Sequence, residues 1–265
     1  MISTKTLIGW LAAFLCCPLG ARAQSGQIVR PVLEVPRTTQ APRLLAEPDE
    51  AVWRGAAWIP ALSLSIGPEA RTAQAQPTQI RLLWDENFLY ARFECRDTEI
   101  NAPFPGGAAG RDAPHYQGDV AEIFLDPVGD ARQTLELQVS PKNGVFDQLL
   151  LLTGEAKSGV DGVLNQEIIS RESWEFPTWN LEGVRSATSA QTDGWIVDIA
   201  LPAAPLLKRL GLKKWAPMTL RANFLRYDWP LRGDKGAMTA LNWSPVMWGR
   251  PHRSPQAMGF LQLKP

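Results

Sequence analysis

Few residues of this chain belong to the types that carry covalent or metal chemistry. Its only histidines are His115 and His252, and its cysteines are Cys16, Cys17 and Cys95. Past the N-terminal leader there is no phosphate-binding glycine loop, dinucleotide fingerprint, zinc-protease helix motif, nucleophile elbow or C-x-x-C pair. A Ser-His-Asp triad would need one of the two histidines, and neither stands in a triad-like context. Glu122 has the most telling surroundings. It interrupts the apolar run of Val120, Ala121, Ile123, Phe124 and Leu125 inside YQGDVAEIFLDP, Tyr116–Pro127. At the strand period of two, Glu122 shares a face with Val120 and Phe124, while Ala121, Ile123 and Leu125 point the other way. Both faces are mostly apolar, which predicts an interior strand stopped by Asp126-Pro127. A carboxylate there is either partnered or aimed into a cleft. Asp119 falls on the opposite face, so the two acids do not form a pair that could flank a glycosidic bond.

The elements that must position Glu122 are short strands. Gln79–Trp84 and Phe88–Arg96 alternate around the polar turn Asp85-Glu86-Asn87, which predicts a hairpin. Leu135, Leu137 and Val139 alternate with Thr134, Glu136, Gln138 and Ser140. Pro141-Lys142-Asn143-Gly144 then turns the chain into a returning strand at Val145–Leu152. Gly154–Gly162 reads as a polar loop, Trp195–Leu201 and Met218–Tyr227 alternate again, and Pro202–Leu210 is the one helical segment. Many strands, frequent turns and one short helix predict an all-β, antiparallel β-sandwich. The connection Asp97–Gln117 is long for such a domain, and loops of this length tend to carry function. Its second half brings Arg111, Asp112, His115 and Tyr116 to the mouth of the central strand. That placement predicts an ordered wall in which Arg111 donates to Asp112, to Glu122 or to a ligand hydroxyl.

Residues 1–23 read as a secretory signal peptide. Lys5 precedes the apolar run Leu7–Cys17, and Ala21-Arg22-Ala23 is a cleavage site. The run is shorter than the ~20 residues of a membrane span. The mature protein is therefore expected to be secreted or periplasmic after cleavage near Ala23, with Cys95 its single cysteine and no internal disulfide. Residues 24–42 read as a Pro-, Thr- and Arg-rich tail, and residues 43–265 as one domain. Lys and Arg number 27 and so do Asp and Glu, a balance that speaks against nucleic-acid or membrane-surface partners. Tryptophan is abundant instead, with Trp229, Trp243 and Trp248 in polar, Pro/Gly-rich segments. With Tyr116 and His252 they offer flat rings for the C–H faces of sugars, whose hydroxyls need carboxylate, amide or guanidinium partners.

Five stretches together carry a resemblance. They are EPDEAVW (Glu47–Trp53), IRLLWDENFLYARFECRD (Ile80–Asp97), YQGDVAEIFLDP (Tyr116–Pro127), DGWIVDIALP (Asp193–Pro202) and NWSPVMWGRPHRSPQAMGFLQL (Asn242–Leu263). In this order they resemble the family 9 carbohydrate-binding modules, within the wider DOMON-like sandwiches. The resemblance implies a jelly-roll β-sandwich without catalytic activity, expected to be a monomer, that grips an oligosaccharide or polysaccharide end between two rings. It further implies that structural calcium can be carried, with no ligand set defined. By position, the first ring becomes Tyr116, the hydroxyl-binding carboxylate Glu122, and the second ring His252. The family's arginine position falls on Gln138, with Ser140 two residues on, and Trp248 stands near enough to act as a ring. The identity of the sugar does not carry over, because tyrosine, histidine and glutamine replace two tryptophans and an arginine. Two other readings stand beside this one, the first of them from the wider class. One is a haem-binding or redox-associated protein with ligands from His115, His252, Met247 or Met258. The other is a polysaccharide-active enzyme built from the long loops.

Overall fold

Period-two alternation folds the chain into two stacked sheets, a β-sandwich of jelly-roll type. The computed structural model describes residues 30–64, 77–160, 167–231, 238–245 and 254–265. Its strands are β1 (Val32–Val35), β2 (Ala57–Ile59), β3 (Ser63–Leu64), β4 (Thr78–Trp84), β5 (Phe88–Arg96), β6 (Val120–Asp126) and β7 (Gln133–Val139). They continue as β8 (Val145–Val160), β9 (Glu167–Phe176), β10 (Arg185–Gln191), β11 (Gly194–Pro202), β12 (Thr219–Asp228), β13 (Thr239–Asn242) and β14 (Gly259–Leu263). The larger sheet runs β1-β14-β12-β6-β7-β8-β9, with β13 and β3 added beside β12, and the smaller runs β10-β11-β5-β4-β2. One helix, α1 (Ala203–Leu206), follows β11 and continues into a 3-10 turn at Lys208–Leu210.

The core lies between the sheets. Leu89, Ala91, Phe93 and Cys95 of β5 face Ala121, Ile123 and Leu125 of β6, and Phe93 meets Phe224 edge-on at 6.1 Å. The hairpin forms as expected, with Trp84 opposite Leu89. Burial pushes the Cys95 thiol up to about 12, so it packs as a small hydrophobe. The outer face of the smaller sheet is roofed by the segment that carries EPDEAVW. There Arg92 donates to both oxygens of Asp198 (2.7 and 2.9 Å) and stacks on Trp53, while Asp198 also holds the Ala46 N–H.

Two expectations change, and one strand was not expected. Residues 24–42, read as a tail outside the domain, supply β1, which pairs in parallel with β14. The Trp84 indole donates to Val35 O (3.1 Å) and Lys264 O (2.9 Å), tying both strands to the core. A four-residue strand with one buried side chain, Val35, has no periodicity to display. The Gly154–Gly162 loop is instead the continuation of β8 as far as Val160, bent by a bulge between Thr153 and Lys157 and held by β9. β10 carried no sequence signal because RSATSAQ has no strong hydrophobe, and pairing with β11 alone makes it a strand.

Candidate functional site

The second polar cluster of the molecule lies on the face of the larger sheet turned away from the core. β12, β6 and β7 run side by side there, so Glu122 has Leu225 opposite it on one side and Gln138 on the other. The residues that alternate with the core set, Glu122 and Phe124 on β6 and Glu136 and Gln138 on β7, share this face. The Gln138 amide nitrogen donates to Glu122 Oε1 (2.7 Å) and to Glu136 Oε1 (2.9 Å). Gln148 of β8 donates to Glu136 Oε2 (2.7 Å). All four side chains are buried. Glu122 Oε2 and Gln138 Oε1 within the cluster, and Thr134 Oγ1 beside it, are buried without a hydrogen-bond partner. Phe124, Leu150, Leu225 and Met258, with Tyr227, form a separate apolar cluster on this face.

Burial, and then the charge of Glu136, hold the Glu122 carboxyl well above its usual range. Burial raises Glu136 as well. The two buried carboxyls thus oppose each other's ionisation, while the Gln138 amide and the Tyr227 hydroxyl work against the rise at Glu122. The amide of Gln138 fills the space between the acids. A glycosidase pair keeps that space for the scissile bond, and here Gln138 occupies it.

Sequence reasoning named Glu122, Gln138 and, among the candidate rings, Trp229, but missed Glu136 and Gln148 as site groups. The signal for Glu136 was present, because it alternates onto the same face as Gln138. Tyr116 stands 46% exposed ahead of β6, in a 3-10 turn at His115–Gln117. The Trp229 indole donates to Tyr116 O (3.0 Å). Asp119 accepts the backbone N–H groups of Trp229 (2.7 Å) and Asn101 (2.5 Å), fixing both aromatic residues at the β6–β12 end. Burial pushes the Asp119 carboxyl up to about 7 in spite of these donors.

Other predicted residues do not join Glu122. Arg111 pairs with Asp112 (3.3 Å), and it also bonds Asp147 and Asn180 Oδ1 (2.6 Å). Asp147 sits opposite Leu137, a core residue, so this cluster lies on the core-facing side of the sheet, across from Glu122. Arg111 clamps the loop to β8 because the buried Asp147 carboxylate needs a cation. Ser140 Oγ accepts Gly144 N–H (3.0 Å) and closes the β7–β8 turn, where Asn143 takes a left-handed φ of 60°. His115 is wedged against Gly144 with Nε2 bonded to Gly110 O (2.7 Å), and Met258 is buried in the apolar cluster. Both are packing residues, which removes two of the haem-ligand candidates. Trp248, His252 and Met247 lie outside the described residues.

Among the described residues one carboxylate group has the spacing of a cation site, Asp97, Asp119 and Asp228. The Arg226 guanidinium already lies there, donating to Asp97 (2.9 Å) and Asp228 (3.2 Å), and both Asp119 oxygens are taken by backbone donors. Calcium takes six to eight oxygen ligands, and this donor set does not fit it. No helix among the described residues is long and apolar enough to cross a membrane.

Fold and site together define a β-sandwich that presents buried hydrogen-bonding groups and rings at one sheet face. Residues 47–264 match the family described as carbohydrate family 9 binding domain-like, and the chain belongs to that family. Among solved structures it is similar to a family 9 carbohydrate-binding module of Caldicellulosiruptor kristjanssonii in complex with cellotriose. The identity is 18% and the TM-score 0.60, over 88% of this chain and 94% of that one. The glucose complex of a family 9 module from the same organism gives 17% and 0.54, over 87% and 95%. A protein of Bacteroides uniformis ATCC 8492, provisionally classed as carbohydrate-binding, gives 15% and 0.62, over 89% and 100%. No curated protein matches the chain. At these identities the likeness to solved structures shows the fold, and the family match shows membership.

Proposed function

We propose that this protein is a secreted, monomeric, non-catalytic carbohydrate-binding module that holds a glycan end over the Glu122 face of the larger sheet. The observation that carries the reading is the Glu122–Gln138–Glu136–Gln148 network, buried on the sheet face turned away from the core, with Glu122 Oε2 and the Gln138 carbonyl oxygen without a hydrogen-bond partner. Sugar hydroxyls are donors of the required kind. Tyr116 supplies one ring, braced by Trp229, and the segment holding Trp248 and His252 supplies the other. Arg111, Asp112 and Ser140 take no part in holding the sugar on this reading; they fix the Asp97–Gln117 loop and the β7–β8 turn. The signal peptide delivers the module to glycans outside the cytoplasm.

The test is binding to an array of immobilised plant and microbial oligosaccharides. Wild type is expected to retain at least one class, and Tyr116→Ala to lose it with an unchanged circular-dichroism spectrum. A wild-type protein that retains none of them would sink the proposal.

A further inference from the structure

The turn that presents Tyr116 is anchored by the residue before it. We propose that His115 is an acid-release latch. In its neutral form it holds the His115–Gln117 turn against the β7–β8 turn, and on protonation it frees Tyr116 and any sugar held by that ring. The release of sugar rests on the carbohydrate reading above, and the release of the ring stands on the geometry of the loop.

His115 is the buried member of the turn, while Tyr116 and Gln117 are exposed. Its ring is pressed onto Gly144 so closely that a Cβ there would collide with Cε1 and Nε2. Phe104 meets it edge-on at 5.8 Å. Gly110 O, which can only accept, takes the hydrogen of Nε2 at 2.7 Å. The neutral ring therefore carries its one hydrogen on Nε2. A second proton goes to Nδ1 and puts a full charge in a seat that is 1% exposed.

Among the described residues, the titratable groups of the elements packed around this seat are Arg111 and Asp112 of the loop, Lys142 of the β7–β8 turn, Asp147 of β8 and Asp119 ahead of β6. Asp112 favours a charged ring, but it is exposed and shared with Arg111 (3.3 Å). Asp147 is taken by Arg111 and the Leu181 N–H, and Asp119 by two backbone donors. Lys142 is exposed and of like sign. Burial outweighs the Gly110 carbonyl and Asp112, and holds the His115 pKa below its ordinary range. The closed loop thus binds fewer protons than the freed one. Closure is full above the ordinary histidine pKa of about 6.5 and weakens as pH falls through the window below it. Glu122 and Asp119, whose carboxyls are raised, act with the opposite sign on global stability, so the latch needs a local readout.

The chain has three tyrosines and two histidines, few enough to follow singly by NMR in the mature protein. With 3-fluorotyrosine incorporated, the Tyr116 fluorine signal is assigned by Tyr116→Phe. It is expected to move between pH 7 and pH 4.5 with the midpoint of the His115 ring, below about 6.5. His115→Gln keeps a donor for Gly110 O and has no proton to gain in this range, so it should abolish the movement. Should that variant misfold, Asp112→Asn removes a charge that favours the protonated ring, and both midpoints should fall together. A Tyr116 signal indifferent to pH, or one that moves alike in His115→Gln, overturns the latch. Calorimetry with cellotriose as the probe reads the consequence. Affinity should drop about tenfold from pH 7 to pH 4.5 in wild type, one pH unit's worth of linkage, and stay level in His115→Gln. A moving Tyr116 signal with constant cellotriose affinity overturns the link to the sugar. No heat at either pH counts against the carbohydrate reading alone, and the fluorine signal still decides the latch.

Discussion

Glu122 is the residue on which most depends. Its carboxyl is raised in the folded protein by burial and by Glu136, so the folded state holds a proton that the unfolded chain releases at ordinary carboxylate pH. The folded state then binds more protons than the unfolded one above that range, and stability falls as pH rises. Urea unfolding of the wild type is expected to show lower stability at pH 8 than at pH 5. Glu122→Gln should narrow the gap by keeping the side chain's shape without a proton to lose. An unchanged gap would mean that Glu122 ionises freely. Asp119 has the same sign, with its contribution declining up to about pH 7, so Asp119→Asn should flatten the same region of the curve.

At the scale of elements, the Trp229 indole is one of the contacts that join the Asp97–Gln117 loop to the end of β12, beside the Arg226–Asp97 pair and the Asn101 bond to Pro230 O. Trp229→Ala removes the bond to Tyr116 O and the ring beside it. It should weaken glycan binding by about tenfold, roughly 1.4 kcal/mol, while Trp229→Phe keeps part of the ring contact. Equal affinity for the alanine variant and wild type would place the cleft elsewhere. β1 gives a second prediction. A chain starting at Arg43 lacks Val35, which is fully buried, and leaves β14 without its neighbour. It should lose at least about 1.5–3 kcal/mol of stability, the value of one buried aliphatic side chain.

These two elements also mark how far the sequence could be read. The hairpin, the central strand and the β7 alternation were legible because each buries a face at period two. β1, β10 and the second half of β8 were not, because they are held by partners distant in sequence rather than by their own pattern. Glu122 and Gln138 were each singled out by family position, and strand register brings the two into contact. The placement of Arg111 misled for a related reason. Proximity in sequence to the central strand does not say which side of the sheet a loop residue reaches.

The whole molecule is a sandwich whose two outer faces are treated differently. The smaller sheet's face is closed by the segment before β2, with Arg92, Asp198 and Trp53 beneath it. The larger sheet's face holds the acid–amide network. The core between the sheets carries the stability of both, and Phe93→Ala, at its centre, should cost about 3–5 kcal/mol in chemical denaturation without touching the site's groups. Central to everything above is the claim that the larger sheet's outer face recognises glycan ends. The most direct test is titration calorimetry of wild type and Gln138→Leu, matched for fold by circular dichroism, against one panel of neutral and amino oligosaccharides. Heat from wild type with at least one sugar, lost in Gln138→Leu, is the predicted result. Undiminished binding by Gln138→Leu would contradict it.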